Sequence, residues 1–243
     1  MKSILSLILA VSLLITACTP QQIQNAVGVI AAGTNPNPTS EEAGNGLKEA
    51  LVVGLVNGIG LLSKEDGFFG NNLVKIPWPE EAAFVMDAMK KIGMQNQVDK
   101  VTLSLNRAAE KASGEAKDVF IQAVKQMTFQ DAMNILLGGD GAATAYLRKS
   151  TTPILTEKFR PIIDGSLSQV NATKYWSDAV GVYNKIPFTQ KKVETDLSAF
   201  VTQKAMEGVF KMVEQEENKI RKDPFARSSA LLKKVFGFAD TKK

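Results

Sequence analysis

Apolar residues recur every three or four positions along most of the chain after residue 40, which is the spacing of one face of an α-helix. No stretch alternates apolar and polar residues between turn signals in the way that paired strands do. The pattern therefore predicts an all-α fold with a single irregular multi-helix domain. The predicted helices cover residues 41–62, 79–93, 97–112, 116–127, 128–137 and 142–149, two or three short segments within 151–188, and residues 196–222 and 225–236.

Polar residues mark the predicted helix starts. Thr39 and Glu42 fit a capping box at the first helix, and Thr128 with Asp131 fits the cap of a short helix. The first helix also carries five glycines, each of which costs about 1 kcal/mol relative to alanine. We expect these glycines to let neighbouring helices approach closely. They are Gly44, Gly46, Gly54, Gly58 and Gly60.

Residues 66–72 interrupt the helical pattern with glycine, asparagine and two adjacent aromatics, Phe68 and Phe69. We expect both rings to insert into the core from this loop. The segment that follows, Ile-Pro-Trp-Pro at 76–79, is predicted to be extended, because a proline disfavours helical backbone in the residue before it.

The first 18 residues have the pattern of a bacterial lipoprotein leader. Lys2 provides a positive start, and residues 4–15 form an apolar stretch too short for a permanent membrane span. Residues 15–18 then read Ile-Thr-Ala-Cys, which is the order of a lipoprotein processing site. A plain secretory leader with an incidental cysteine is the alternative. The position of Cys18 at the end of the apolar stretch favours the lipoprotein.

Cys18 is therefore the predicted lipidation site. Several acyl chains such as palmitate on one residue hold a protein on a membrane, since each buried CH₂ contributes about 0.8 kcal/mol. Thr19 follows in place of an aspartate, which favours the outer membrane, with the domain facing the periplasm. The predicted organisation is a signal peptide at 1–17, a lipidated N-terminus and tether at 18–38, a helical domain at 39–238 and a charged tail at 239–243.

Composition and charge are those of an ordinary globular domain. The chain of 243 residues is 44% hydrophobic and 22% charged, with a formal net charge of +4. This balance lacks the strong basic excess of nucleic-acid-binding domains, so no nucleic acid partner is expected. A single cysteine that is acylated leaves no internal disulfide, and stability must come from packing.

The chain also resembles a known family. The motifs that carry the resemblance are GLKEAL (46–51), DGFF (66–69), IPWP (76–79), LNRAAE (105–110), MTFQDA (127–132), AATxY (142–146), ENKIRKDP (217–224) and LKKVFG (232–237). Together they are similar to the bacterial family catalogued as domain of unknown function 4197, over nearly the whole domain. The resemblance implies a helical exported protein of proteobacterial type, and it implies no particular reaction.

Histidine is absent from the whole sequence. This absence excludes Ser/His/Asp and Cys/His catalysis and histidine-based zinc sites. Because Cys18 is assigned to the anchor, thiol chemistry and cysteine metal sites are excluded as well. What remains is carboxylate, lysine, tyrosine or serine chemistry, or a calcium-like site of oxygen ligands. No catalytic residue, cofactor or metal is assigned from the sequence.

Charged and amide side chains lie on or beside the apolar faces of two predicted helices. Glu216 falls on the apolar stripe of the helix at 196–222, where a carboxylate must be paired or have a raised pKa. Two roles remain open for this polar cluster: a ligand or catalytic pocket, or a structural ion-pair network, which we favour. Its predicted members are Asn106, Arg107, Glu110, Glu216, Glu217 and Arg221, with Arg148 or Arg227 joining them.

A glycine-rich loop at 138–141 is a second candidate site, centred on Asp140. Free N–H groups at the following helix could hold an anion. The loop lacks the lysine and serine of a nucleotide-binding loop, so a turn in which Asp140 caps the helix is the favoured interpretation.

Aromatic and methionine side chains are a third possibility. They could line an apolar groove between helices, although ordinary core packing is favoured. These residues are Phe68, Phe69, Trp78, Tyr146, Tyr175, Trp176, Tyr183, Met86, Met89, Met127, Met206 and Met212.

The sequence thus predicts a lipid-anchored periplasmic lipoprotein that acts as a non-catalytic binding or scaffold module for an envelope protein or lipid. A carboxylate-based hydrolase of envelope glycan is an alternative, which would need Glu110 and Glu216 to face each other across a cleft. A purely structural lipoprotein is the other alternative.

Overall fold

The computed structural model describes residues 37–79, 82–185 and 196–242, and these residues contain nine α-helices and no strand. The all-α prediction is confirmed, and the helices form a single domain. In chain order they are α1 Ser40–Leu62, α2 Ala83–Lys91, α3 Gln95–Ser113, α4 Ala116–Gln126, α5 Phe129–Leu136, α6 Ala142–Ser168, α7 Ala172–Tyr183, α8 Leu197–Lys222 and α9 Ala230–Asp240.

Helix α1 forms the centre of the fold with α6 and α8. It begins at the predicted capping box, in which Thr39 accepts a hydrogen bond from the Glu42 amide and Glu42 accepts one from the Thr39 amide. Its length and hydropathy alone would suit a membrane span, but half of that stretch is buried within the protein. The apolar character of α1 is accounted for by its place in the core.

Helices α1 and α8 run antiparallel and approach closely at glycines, as predicted. A Cβ atom at Gly54 would lie 3.3 Å from the Cβ of Glu216, and one at Gly58 would lie 3.5 Å from the carbonyl oxygen of Met212. At the other side of α1, a Cβ at Gly46 would lie only 2.7 Å from Val235 of α9. The C-terminal end of α8 and the part of α9 around Val235 therefore lie beside the N-terminal half of α1.

Helix α6 corrects the prediction of a break after residue 149. It continues to Ser168 and contains Pro153 and Pro161, although each proline removes one backbone hydrogen bond. The hydroxyls of Thr151 and Thr152 bond to carbonyls four residues earlier, each at 2.6 Å. Burial holds the helix together, because every fourth residue faces the core: Leu147, Thr151, Leu155, Phe159, Ile163 and Leu167.

The loop between α1 and α2 also differs from expectation. Phe68 is fully buried and fills the predicted place in the core. Phe69 is only partly buried, and the Lys75 ammonium lies 4.1 Å from its ring centroid. Two consecutive side chains on a turn point in different directions, so only one of the two aromatics enters the core.

The C-terminal region follows the prediction as far as Lys222. Asp196 caps α8 through a 2.9 Å hydrogen bond from the Ala199 amide. The last helix begins later than predicted. A 3₁₀ turn at Pro224–Ala226 follows α8, and α9 begins only after the capping residue Ser229. It then extends to Asp240.

Candidate functional site

Five of the six residues of the predicted polar cluster form two separate networks. Asn106, Arg107 and Glu110 of α3 form one, which we call the loop clamp. Glu217 and Arg221 of α8 form the other, which we call the helix-end clamp. Glu216 belongs to neither. The structure therefore does not bring the six side chains into one pocket.

Within the loop clamp, Asn106 is fully buried and bonded to the backbone on both sides of its amide. Its oxygen accepts a hydrogen bond from the Ile76 amide at 2.8 Å, and its nitrogen donates to the Ile76 carbonyl at 2.9 Å. The same nitrogen donates to the Thr102 carbonyl at 2.8 Å. The side-chain amide of Asn106 thus bonds both the N–H and the C=O of Ile76, as the backbone of a paired strand would, and holds the long loop at this residue.

Glu110 holds an earlier part of the same loop. One carboxylate oxygen accepts hydrogen bonds from the amides of Phe68 and Phe69, both at 3.1 Å. The other oxygen accepts one from Arg107 at 2.6 Å. The hydrogen bond from Arg107 to Glu110 raises the pKa of the guanidinium, with burial opposing this and a second bond to Asp66 adding to it. The loop clamp therefore fixes the buried Phe68.

The helix-end clamp begins with Glu217, whose carboxylate lies at the N-terminus of α6. It accepts hydrogen bonds from the amides of Ala143 at 3.0 Å and Thr144 at 2.9 Å, and from the Thr144 hydroxyl at 2.8 Å. A carboxylate is favourable here because the helix dipole places partial positive charge at this end. A residue from a different helix thus caps α6.

Arg221 completes this clamp at the end of α5. Its Nε donates to Glu217 at 2.9 Å. Its terminal nitrogens donate to the carbonyls of Ile135 at 2.7 Å and of Leu136 and Gly138 at 3.3 Å. The cation is thus placed at the negative C-terminal end of α5, opposite its partner at the positive end of α6. The Glu217–Arg221 ion pair therefore holds the end of α5 and the start of α6 together, at the two sides of the loop that connects them.

The other predicted members lie apart from these clamps. Glu216 packs over Gly54, and its carboxylate lies 4.0 Å from Lys219 with about 15% of the side chain exposed. The guanidinium of Arg148 lies 4.4 Å from the ring centroid of Phe210. Arg227 is buried and donates to the last carbonyls of α8. None of them adds to a shared pocket.

These positions argue against a carboxylate pair for glycan hydrolysis. Glu110 is buried, and its carboxylate is held by three hydrogen bonds from protein groups, so it is not presented to a substrate. Glu216 packs on α1 next to Lys219. The two carboxylates take part in different contacts and do not line a common cleft.

The prediction that Asp140 caps α6 is wrong. The capping position is Gly141, which has a φ of +76° and no side chain to offer. Asp140 instead pairs with Lys222 of α8 at 2.5 Å. Glu217 takes the capping role that the sequence assigned to Asp140. Among the described residues, no group of three or more acidic or other metal-ligating side chains could hold a metal ion.

The aromatic and methionine residues are mainly core. Phe68, Trp176, Met127 and Met212 are buried, and Trp78 packs against Trp176 with ring centroids 5.9 Å apart. The side chains of Tyr175 and Tyr183 lie outside the described part of the structure. Among the described residues of this set, Tyr146 lines the groove that is described next.

An open groove of about 320 Å³ lies between α4 and α6, and the sequence did not indicate it. Its floor includes Val119 and Ala123 of α4 and Tyr146 and Ile154 of α6. Burial, together with the nearby Asp131 charge, raises the pKa of the Tyr146 phenol. The groove exists only because α6 is continuous past residue 149. Its polar lining consists of Asp118, Gln122, Gln126, Ser150, Thr151 and Lys158.

The predicted leader, Cys18 and most of the tether lie outside the described residues. The comparisons with known proteins concern the domain. A family model described as a protein of unknown function (DUF4197) matches residues 37–237. No curated protein and no solved structure matches the chain.

Proposed function

We propose that this chain, which belongs to the DUF4197 family of unknown function, is a lipid-anchored envelope protein that acts by binding rather than by catalysis. The observation that carries the proposal is the leader, in which Cys18 directly follows the apolar stretch and the residues Ile-Thr-Ala. Acylation of this cysteine would hold the mature chain on the outer membrane, facing the periplasm.

A non-catalytic role is supported by how the charged residues are used. The chain has no histidine. The buried carboxylates Glu110 and Glu217 each hold backbone amides and an arginine. A general acid or base must reach a substrate proton, and neither group is free to do so. Both serve to fix loops and helix ends.

The groove between α4 and α6 is the feature of the domain best suited to a partner. Ile154 is about half exposed there, beside the partly buried ring of Tyr146. Glutamine, serine and lysine side chains surround these apolar groups. This combination suits an extended segment of an envelope protein or a lipid chain with a polar head.

Metabolic labelling with a clickable fatty acid tests the anchor. Wild type should incorporate the label, and Cys18→Ala should not, because its acylated sulfur is absent. Thr19→Ala is the matched control and should label like wild type. Equal labelling of wild type and Cys18→Ala would refute the proposal.

Site-specific photo-crosslinking in cells tests binding at the groove. A photoreactive residue at Ile154 should give a discrete adduct with a protein or a lipid. The same residue at Val170, an exposed apolar position that does not line this groove, is the control. Absence of an adduct at both positions would contradict the binding role and favour a purely structural lipoprotein.

A further inference from the structure

Phe225 is 97% exposed, although it lies on a firmly held turn. Its amide donates to the Asp223 carboxylate at 2.9 Å within the 3₁₀ turn Pro224–Ala226. Just after the turn, the buried guanidinium of Arg227 donates to the carbonyls of Ile220 at 3.1 Å and Arg221 at 2.9 Å. The fold thus presents a large apolar ring to solvent on a rigid support.

Other exposed apolar and basic residues lie at the same end of the domain. Arg221, near the end of α8, donates a hydrogen bond to the Leu136 carbonyl at the end of α5. The half-exposed Leu137 therefore lies near the turn at 224–226. Arg227 also pairs with Asp240 at 2.8 Å, which brings the end of α9 and Lys242 beside it. We call the set Phe129, Leu137, Lys222, Phe225 and Lys242 the tether-end surface.

Phe129, the first residue of α5, belongs to this surface because its ring contacts the first turns of α1. It packs against Gly44 and is about half exposed, and the Lys48 ammonium lies 5.9 Å from its ring centroid.

Several acidic groups of this end are engaged with cations or backbone, while Glu41 in the first turn of α1 is exposed. Asp140 pairs with Lys222, Asp240 pairs with Arg227, and Glu42 pairs with Lys234 at 2.9 Å. Asp223 caps the turn that carries Phe225. The Lys48 ammonium lies near the Phe129 ring and donates a hydrogen bond to the Lys125 carbonyl at 3.4 Å. Lys242 is exposed, with the Phe238 ring as a neighbour, and can contact anionic groups.

The chain segment that leads to Cys18 leaves the domain at this same end. Helix α1 starts after Thr39, and Glu42 in its first turn contacts Lys234 of α9. Because α1 and α8 are antiparallel, the turn at 224–226 follows the end of α8 that lies beside the N-terminal half of α1. Residues 18–38 therefore connect Cys18 to the end that carries Phe225.

We propose that the tether-end surface docks onto the phospholipid bilayer that holds the lipid anchor. The inference rests on the proposed anchoring through Cys18. The aromatic rings enter the interface between head groups and acyl chains, and the lysines contact anionic head groups. A second contact of this kind strengthens a lipid anchor and orients the domain. The groove between α4 and α6 is lined by residues that are not part of this surface.

The lone cysteine makes a direct test possible. In the acylated full-length chain, Phe225→Cys provides the only free thiol, which can carry an environment-sensitive fluorophore. Ile92→Cys is the matched control, because Ile92 is 73% exposed and follows α2, which packs on α3. The labelled proteins are reconstituted in vesicles of phosphatidylethanolamine and phosphatidylglycerol that contain a nitroxide-labelled lipid. Fluorophore emission at 225 should fall roughly twofold by contact with the nitroxide, and emission at 92 should not.

Vesicle flotation separates the two ways in which the inference can fail. If the protein floats with the vesicles and the label at 225 is no more quenched than the label at 92, docking is wrong and the anchor stands. A protein partner for Phe225 would give this result. Equal quenching at both positions would also contradict docking through one defined surface. If the protein does not float, the anchor fails, and docking fails with it.

Discussion

Glu216 and Glu217 are neighbours in the sequence but have different roles in the structure. Glu217 points into the interior, where it caps α6 and pairs with Arg221. Glu216 packs beside Gly54 at the edge of α8 and lies within 4.0 Å of Lys219. Consecutive residues of an α-helix are about 100° apart around its axis. Glu217 therefore faces the interior, whereas Glu216 lies at the edge of the helix.

The first prediction compares these two residues. Glu217→Gln should lower the free energy of unfolding by roughly 3 kcal/mol, because it leaves Arg221 buried without its counter-charge. Glu216→Gln, the matched control, should change the free energy by less than about 0.5 kcal/mol, because its ion pair is long and partly exposed. Urea unfolding followed by circular dichroism measures both. Equal effects would contradict the helix-end clamp.

The second prediction concerns the acid response of Glu42. The hydrogen bond from Lys234, and then the one from the Thr39 amide, lowers the pKa of this carboxyl in the folded state. Its stabilising effect is therefore present above the ordinary glutamate pKa and is lost as pH falls through the lower folded value. Lys234→Gln should raise the pKa of Glu42 toward its ordinary range.

An NMR titration of the Glu42 carboxyl carbon measures this shift. Lys233→Gln removes an equal charge from the neighbouring, exposed position and serves as control. It should leave the Glu42 pKa nearly unchanged. A similar change in both variants would mean that general charge, rather than the specific ion pair, lowers the pKa.

At the scale of elements, the glycines of α1 serve different purposes. Gly46 faces α9, where Val235 leaves no room for a methyl group, whereas a Cβ at Gly60 would meet no atom within 4 Å. Both residues have equal intrinsic helix propensity. Only packing distinguishes them.

The third prediction uses this difference. Gly60→Ala should raise the free energy of unfolding by up to about 1 kcal/mol, since alanine favours the helix. Gly46→Ala should lower it by about 1 kcal/mol or more, because the clash with Val235 outweighs the propensity gain. Thermal and urea unfolding of the two variants should give changes of opposite sign. A gain at both positions would show that α9 can shift without cost.

Helix α6 shows how far local signals can be overruled. Pro153 and Pro161 are strong local signals against a continuous helix, and the sequence predicts only short segments after residue 149. Burial of one residue in every four along its whole length outweighs the two lost backbone hydrogen bonds. Which residues of α6 are buried depends on the helices that pack against it, and these are distant in the sequence. The local sequence pattern therefore could not predict a continuous helix.

At the scale of the whole molecule, the helices share one continuous core to which the long loop after α1 is fastened by Asn106 and Glu110. Trp78 in that loop and Trp176 in α7 contact each other. Tryptophan fluorescence therefore reports on the loop and α7, and circular dichroism reports on all helices.

The fourth prediction is a single cooperative unfolding transition. The urea midpoints from tryptophan fluorescence and from circular dichroism at 222 nm should coincide, because the loop clamp couples the loop to the core. Asn106→Ala removes three hydrogen bonds to that loop and should lower both midpoints together. An earlier fluorescence transition in wild type would mean that the loop and α7 unfold separately.

The sequence alone determined the features that depend on near neighbours in the chain. The helical class follows from apolar periodicity, and the caps at Thr39, Thr128 and Asp196 follow from bonds that span three residues. The leader and Cys18 also belong to this local group and remain a prediction. The lack of histidine catalysis follows directly from composition.

Only the tertiary structure decided features that join distant residues. It divided one predicted cluster into two clamps, because residues on α3 and α8 find their backbone partners in different loops. It assigned the cap of α6 to Glu217, more than 70 positions away. It also placed the ring of Phe129 against Gly44 in the first turns of α1. Such arrangements depend on which helices pack together, and helix packing is a property of the assembled core that no single segment encodes.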